Sequence, residues 1–194
     1  MFIVFEGIDG SGKSTISKLV NKELNEAGYE SYLFFEPTHY EKGKKIREFL
    51  QRKINLTKEE VLNLFLEDRK DSLDLNVKPN LKPKSIVILD RYFYSMCAYQ
   101  ADASYSPQDI LDRNLKNQYP HADLVFFLEI QPELALERTT KRGEGAEIFE
   151  NLEFLTQVDK NYRKILPQQT IFINAIKPMN EILDLCKNEI LKRL

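Results

Sequence analysis

Eight residues near the N-terminus, Gly7-Ile8-Asp9-Gly10-Ser11-Gly12-Lys13-Ser14, hold the densest chemistry in the chain, and Thr15 follows them. A glycine, four residues, then Gly-Lys-Ser is the spacing of a phosphate-binding loop (P-loop). Glycines let successive backbone N–H groups turn inward around phosphate oxygens, and the N-terminus of a following helix adds partial positive charge. Lys13 would reach the β- and γ-phosphates of a nucleoside triphosphate such as ATP, and Ser14 would offer its hydroxyl to Mg²⁺. A glycine-rich turn with no ligand is the plain alternative. The context favours phosphate, because an apolar run over 2–5 precedes the motif and Ile16, Leu19 and Val20 follow at helical spacing.

A second cluster, Asp90-Arg91-Tyr92, follows the apolar run Ile86 to Leu89. An aspartate at such a strand end can hold Mg²⁺ through water, and an adjacent arginine can clamp a transferring phosphate with its planar fork. A surface salt bridge would use the same two residues. Third, Phe65 and Arg69 stand four apart, so on a helix they share a face, an aromatic ring beside a charged tip. A core phenylalanine next to a solvated arginine fits that spacing equally well.

These groups need elements to place them. Apolar, β-branched or aromatic runs at 2–5, 32–35, 86–89, 124–128 and 171–173 read as five buried strands. Between them, helical spacing marks segments around Leu19, Val20 and Leu24, around Val61 to Leu66, and over about 131–141, 150–165 and 179–193. Thr57 with Glu60 has the form of a capping box. Two prolines in the polar stretch 78–84 are expected to end the preceding helix. Strands alternating with helices predict a three-layer α/β/α sandwich with a five-stranded parallel sheet, its binding loops at the strand C-terminal ends.

Composition narrows the function classes. A chain of 194 residues suits one domain over 1–194. The formal net charge of −2, with no interleaved basic and aromatic stripe, argues against a nucleic-acid partner. No apolar run is long enough to span a membrane. Only Cys97 and Cys186 are present, and Met1 leads straight into a strand without a signal-like segment, so a reducing, cytoplasmic setting is expected. Cys97 lies in an apolar helical stretch and reads as a buried small side chain. His39 and His121 are too few and too scattered to ligate a metal. A guanine-reading Asn-Lys-x-Asp sequence and a transporter-type serine-glycine-glycine signature are both lacking, which leaves a small-molecule kinase ahead of a GTPase or transporter ATPase.

Phe5 to Thr15 resembles the opening of thymidylate kinases, and Asp90-Arg91-Tyr92 with Ser95 and Ala98-Tyr99-Gln100 resembles the central signature of that family of P-loop nucleoside monophosphate kinases. Glu36-Pro37-Thr38, Phe65 to Arg69, Pro120 to Leu128, Arg142-Gly143-Glu144 and Phe149-Glu150-Asn151 continue the resemblance in order along nearly the whole chain. It implies phosphoryl transfer from ATP to dTMP with Mg²⁺, and a homodimer. It further implies that Phe65 stacks on thymine, that Arg69 bonds a base carbonyl, and that Ser95, Tyr99 and Gln100 line the acceptor site, with Tyr99 beside the deoxyribose. Asp9 would approach the sugar 3′-hydroxyl and the metal-bound phosphates, unless it bonds its own turn. Glu36 would orient nearby arginines or the metal shell. Arg47 would meet the acceptor phosphate, or else form a helix-surface ion pair with Glu48. Arg91 would act on the transferring group, and Ser14 and Asp90 would serve the metal. A short lid over 141–150 would exclude water, with Arg138, Lys141 and Arg142 at its start.

The chain departs from the family at three places. A catalytic arginine usually lies inside the P-loop or late in the lid, where this chain has Gly10 and Ile148. Arg138, Lys141 and Arg142 are the remaining candidates for its role, and Arg142→Ala should lower kcat more than tenfold, an unchanged kcat removing it from the mechanism. Phe35-Glu36-Pro37-Thr38 lacks the family's arginine and glycine turn, and Met96 replaces a smaller or polar residue near the base edge. A kinase for another deoxynucleotide or nucleoside, and a nucleotide-binding regulatory module without turnover, are the competing readings.

Overall fold

The computed structural model describes residues 1–141 and 151–194 of the chain. Five strands, β1 (Phe2–Glu6), β2 (Ser31–Phe35), β3 (Ile86–Asp90), β4 (Leu124–Glu129) and β5 (Ile171–Asn174), form one parallel sheet in the order β2-β3-β1-β4-β5. Each lies within a residue or so of its sequence expectation. The three inner strands are buried on both faces, which is why they read as continuous apolar runs, while β2 and β5 at the edges are partly open. β1 pairs with β3 from Phe2↔Val87 to Phe5↔Asp90 and with β4 from Ile3↔Leu124 to Glu6↔Phe127. This register puts the C-terminal ends of β1 and β3, and hence Gly7 and Arg91, side by side.

Helix α1 (Lys13–Glu26) packs on β1, β2 and β3 and against the last helix, α9 (Met179–Leu191). Helix α2 (Glu41–Leu50) rests on α3 (Lys58–Ser72), whose start carries the expected Thr57–Glu60 capping box. That helix runs on through a widened π turn, Leu73–Val77, into a single turn, α4 (Lys78–Asn80). The widened turn makes a Lys78 N–H to Leu73 carbonyl bond, Pro79 follows directly, and the helix stops at Asn80, between the two prolines. Helices α5 (Phe93–Tyr99), α6 (Pro107–Leu115) and α8 (Leu152–Ile165) pack together, and α7 (Pro132–Lys141) leans on α8.

No apolar period announces α6, because its buried face is Pro107, Ile110 and Asn114, so a polar residue breaks the pattern. Both cysteines are buried and unpaired, as Cys97 was expected to be. Among the described residues no helix is long and apolar enough to cross a membrane.

Candidate functional site

The end of β1 turns through residues 7–12 into the first turn of α1. Gly10 sits at φ +82°, and a Cβ there would fall 2.2 Å from the Ala135 carbonyl oxygen of α7. Position 10 therefore admits no side chain, so the family's P-loop arginine is excluded by the packing of α7. Lys13 is buried, its Nζ 3.4 Å from the Ile8 carbonyl and 3.5 Å from Asp9 Oδ1. Burial lowers its pKa and the charge of Arg91 lowers it further, against the pull of Asp9, Asp90 and Glu6. Ser14 and Thr15 are exposed at the start of α1. Behind the loop, a cleft of about 390 Å³ is lined by Ser11, Gly12, Thr15, Arg138 and Lys141 among others. Arg138 reaches toward the carbonyls of Gly10 and Ala175, at 3.4 and 3.3 Å.

On the other side of the loop lies a cleft of about 250 Å³, reached by Asp9, Glu36, Arg47, Phe65, Arg69, Arg91, Ser95, Tyr99 and Gln100. Every residue expected to bind the acceptor comes to this one place. Asp9 of the phosphate loop and Arg91 form an ion pair at the wall of this cleft. The Tyr99 hydroxyl accepts from the Asp9 N–H and donates to Asp9 Oδ2, both at 2.8 Å, and the Arg91 guanidinium lies 5.2 Å from the Tyr99 ring centre. Burial pushes the Asp9 carboxyl upward, but Arg91, Lys13 and the Tyr99 hydroxyl outweigh it and hold the group at about 2.

Deeper in the cleft, Arg69 of α3 is fully buried. Its Nε and Nη2 donate to Glu36 Oε2 at 2.9 and 2.7 Å, and its Nη1 donates to Asn114 Oδ1 at 2.7 Å. Glu36 thus orients an arginine, one of its two expected roles. Burial raises the Glu36 carboxyl to about 7, with Asp68 adding to the rise and Arg69 opposing it. Gln100 Nε2 is buried against the cleft without a bonding partner among the described residues. Half-buried Phe65 faces the same space.

The loop after β2 dispenses with the family's glycine turn. Asp68 of α3 holds it instead, accepting from the Thr38 N–H at 2.9 Å and the Thr38 hydroxyl at 2.5 Å. Gly43 lets α2 press on that loop, since a Cβ would lie 1.9 Å from the Thr38 carbonyl oxygen. Arg47, one turn further, donates to the carbonyls of Pro37 and Thr38 at 2.9 and 2.6 Å, and not to Glu48.

Asp90 ends β3 beside the loop. Its Oδ1 is buried with no hydrogen-bond partner among the described residues, and its charge is felt at Lys13. An unsatisfied carboxylate oxygen there, with exposed Ser14 following Lys13 in the chain, suits a hydrated divalent cation that travels with the triphosphate. Lys141 closes α7, whereas the rest of the expected lid, with Arg142 and Ile148, lies outside the described residues. Sequence reasoning missed Asn114, Glu6 and Tyr162. Their one signal was a polar group in an otherwise apolar strand or helix face.

A triphosphate-cradling loop and an acceptor cleft meeting at one ion pair define a P-loop phosphotransferase. The family model described as thymidylate kinase matches residues 5–185. The chain is 47% identical over 186 residues to the thymidylate kinase of Leptospira interrogans, covering 96% of this chain and 91% of that protein. It is 38% identical over 182 residues to a probable thymidylate kinase of Archaeoglobus fulgidus, covering 94% and 90%. Among solved structures, the thymidylate kinase of Candida albicans superposes with a TM-score of 0.82 at 25% identity, covering 99% of this chain and 91% of that one. The chain belongs to the thymidylate kinase family.

Proposed function

We propose that the chain transfers the γ-phosphoryl group of ATP to dTMP, giving ADP and dTDP. The observation that carries this reading is that Asp9 of the phosphate loop and Arg91 pair at the wall of a cleft that also gathers Phe65, Arg69, Tyr99 and Gln100, in a chain of this family. The triphosphate lies along residues 7–15 with its base in the cleft beside Arg138, and Lys13 neutralises the β- and γ-phosphates. Thymine lies against Phe65, with Arg69 and Gln100 offering donors to its edge. Tyr99 flanks the sugar, and Arg47 and Arg91 face the acceptor phosphate. An oxygen of that phosphate attacks the γ-phosphorus as the bond to the β-phosphate oxygen breaks, and ADP leaves with the electron pair. The attacking phosphate is already an anion, so the chain needs no strong base. Positioning and charge neutralisation carry the rate. Mg²⁺, held by Ser14 and through water by Asp90, would add neutralising charge on the transferring phosphates. A homodimer is inferred from the family alone, and a cytoplasmic setting from the two unpaired cysteines.

The test is ADP release from ATP and Mg²⁺ with dTMP, dUMP, dCMP, dGMP and thymidine offered separately. Turnover strongest with dTMP is expected. A folded protein that binds ATP yet turns over with none of them overturns the reading in favour of a regulatory module, and preference for thymidine makes it a nucleoside kinase.

A further inference from the structure

Glu6 is the last residue of β1, fully buried beside the P-loop, and no step above uses it. Four donors converge on its carboxylate. The N–H groups of Tyr92 and Ser95 reach Oε1 at 2.8 and 3.2 Å, and the hydroxyls of Ser95 and Tyr162 lie 2.5 and 2.9 Å from Oε2. Arg91, next to the first of these, stands at φ +69°, a conformation an L side chain holds only where its surroundings over-determine it. β1 supplies those surroundings on both sides: the Phe5 carbonyl accepts from the Arg91 N–H at 2.9 Å, and Glu6 accepts from the next N–H.

A second link runs through side chains. Ser95 Oγ donates to Glu6 and accepts from Arg91 Nη1 at 3.1 Å. A carboxylate only accepts, so it draws the single Ser95 hydroxyl proton to itself and leaves a lone pair facing the guanidinium. We propose that Glu6 is a positioning residue for phosphoryl transfer, fixing the left-handed backbone of Arg91 and aiming its guanidinium through Ser95. Tyr162 extends the same carboxylate to α8, the helix that follows residues 142–150. Burial raises the Glu6 pKa, while the Ser95 hydroxyl, the Arg91 charge, the Tyr92 N–H and the Tyr162 hydroxyl pull it back.

The proposal rests on the reaction proposed above, and Glu6→Gln is the informative change. Two N–H donors claim the Oε1 position, so the new amide nitrogen must face the Ser95 and Tyr162 hydroxyls. The Ser95 proton then loses its acceptor and turns to Tyr162, 2.8 Å away, or to Arg91, loosening the hold on the guanidinium. Expected is a fall in kcat on the order of ten- to a hundredfold with the KM for ATP and dTMP within about threefold. Added to Arg91→Ala, the same change should cost less than about twofold, because the group it acts through is gone. Equal losses in both backgrounds, or an unchanged kcat, overturn the proposal. Should Glu6→Gln not fold, Ser95→Ala keeps the buried charge and both N–H bonds, and the same non-additivity with Arg91→Ala is required of it. The Arg91 side-chain N–H resonance, assigned by its loss in Arg91→Ala, reads positioning without turnover. It should shift in Glu6→Gln and Ser95→Ala, and an unmoved resonance sinks the idea. A wild-type protein without dTMP-dependent ADP release defeats the assigned reaction instead, with the resonance still deciding on Glu6.

Discussion

The donor and acceptor clefts lie on either side of residues 7–14 and are built on different principles. The donor side is built on one continuous stretch, the loop over 7–14 with Lys13, and its cleft is closed by α7 and the segment leading into α9, which bring Arg138, Lys141 and Lys177 to the wall. The acceptor side is made of side chains from the ends of β2 and β3 and from α2, α3 and α5, braced by α6. A backbone cradle is fixed once the strand–loop–helix turn forms. A cleft of dispersed side chains stands only while its buried charges remain paired. Chemistry and stability should therefore separate on the first side and travel together on the second.

The largest expected effect is on the donor side. Lys13→Ala removes the charge proposed to meet the β- and γ-phosphates and leaves the loop backbone as it was. The kcat for dTMP-dependent ADP release should drop by about 10²–10³-fold. Thermal unfolding should hardly move, since Arg91 remains to pair with Asp9. A large loss of stability in Lys13→Ala would break the contrast between the two sides.

Arg69→Leu should do the opposite. It leaves Glu36 and Asn114 buried without their partner, and Glu36, already raised to about 7 beside Arg69, takes up a proton, a loss of about 1–3 kcal/mol measurable by urea unfolding. The KM for dTMP should rise while ATP binding persists. Replacing both partners, as in Glu36→Leu with Arg69→Leu, should recover much of the stability and none of the dTMP affinity. Recovery of affinity would mean that Arg69 serves the fold and not the substrate.

The same contrast explains what the sequence made legible. Residues 7–14 lie together in the chain, so spacing alone revealed the donor side, and β1, β3 and β4 declared themselves as apolar runs because both their faces are buried. Spacing put Phe65 and Arg69 on one helix face, but that they meet Tyr99 and Gln100 was legible only through resemblance. Asn114 stayed hidden because its role exists only in three dimensions. It stands 45 residues from Arg69, in a helix whose apolar period it interrupts. Glu6 was visible as a letter of the motif but not as a function, because its partners Tyr92, Ser95 and Tyr162 come from later elements. The end of the α3–α4 run at Asn80, between the two prolines, was legible, and the widened turn before it was not.

A smaller effect on dTMP binding should follow from Gly43→Ala, which touches neither substrate nor charge. The added methyl would meet the Thr38 backbone, with atoms at 1.9 and 2.7 Å, and α2 would have to back away. A cost of about 1–3 kcal/mol is expected from overpacking of this kind. Because Arg47 is held by the Pro37 and Thr38 carbonyls, the KM for dTMP should rise as well, with the KM for ATP unchanged. Loss of stability alone would show that Arg47 adjusts independently of the loop.

The smallest effect concerns two carboxylates that each face an arginine yet shift in opposite directions. Glu36 has one cation and Asp68 for a neighbour, so burial dominates and raises it. Asp9 has Arg91, Lys13 and the Tyr99 hydroxyl, which overcome its burial and hold it near 2. A carboxyl depressed on folding contributes stability above its ordinary value of 3.8, and loses it as pH falls through about 2. With 37% of its side chain open to solvent, screening should keep the contribution below about 1 kcal/mol. Urea midpoints of the wild type and Asp9→Asn should therefore differ slightly at pH 4.5 and converge toward pH 2.5. For Glu36 the sign reverses: its proton-linked contribution is complete below 4.5 and disappears as pH rises through about 7, so the wild type should lose ground to Glu36→Gln over that interval. Two margins that narrowed in the same direction would mean that burial, and not the number of cations at hand, sets both carboxylates.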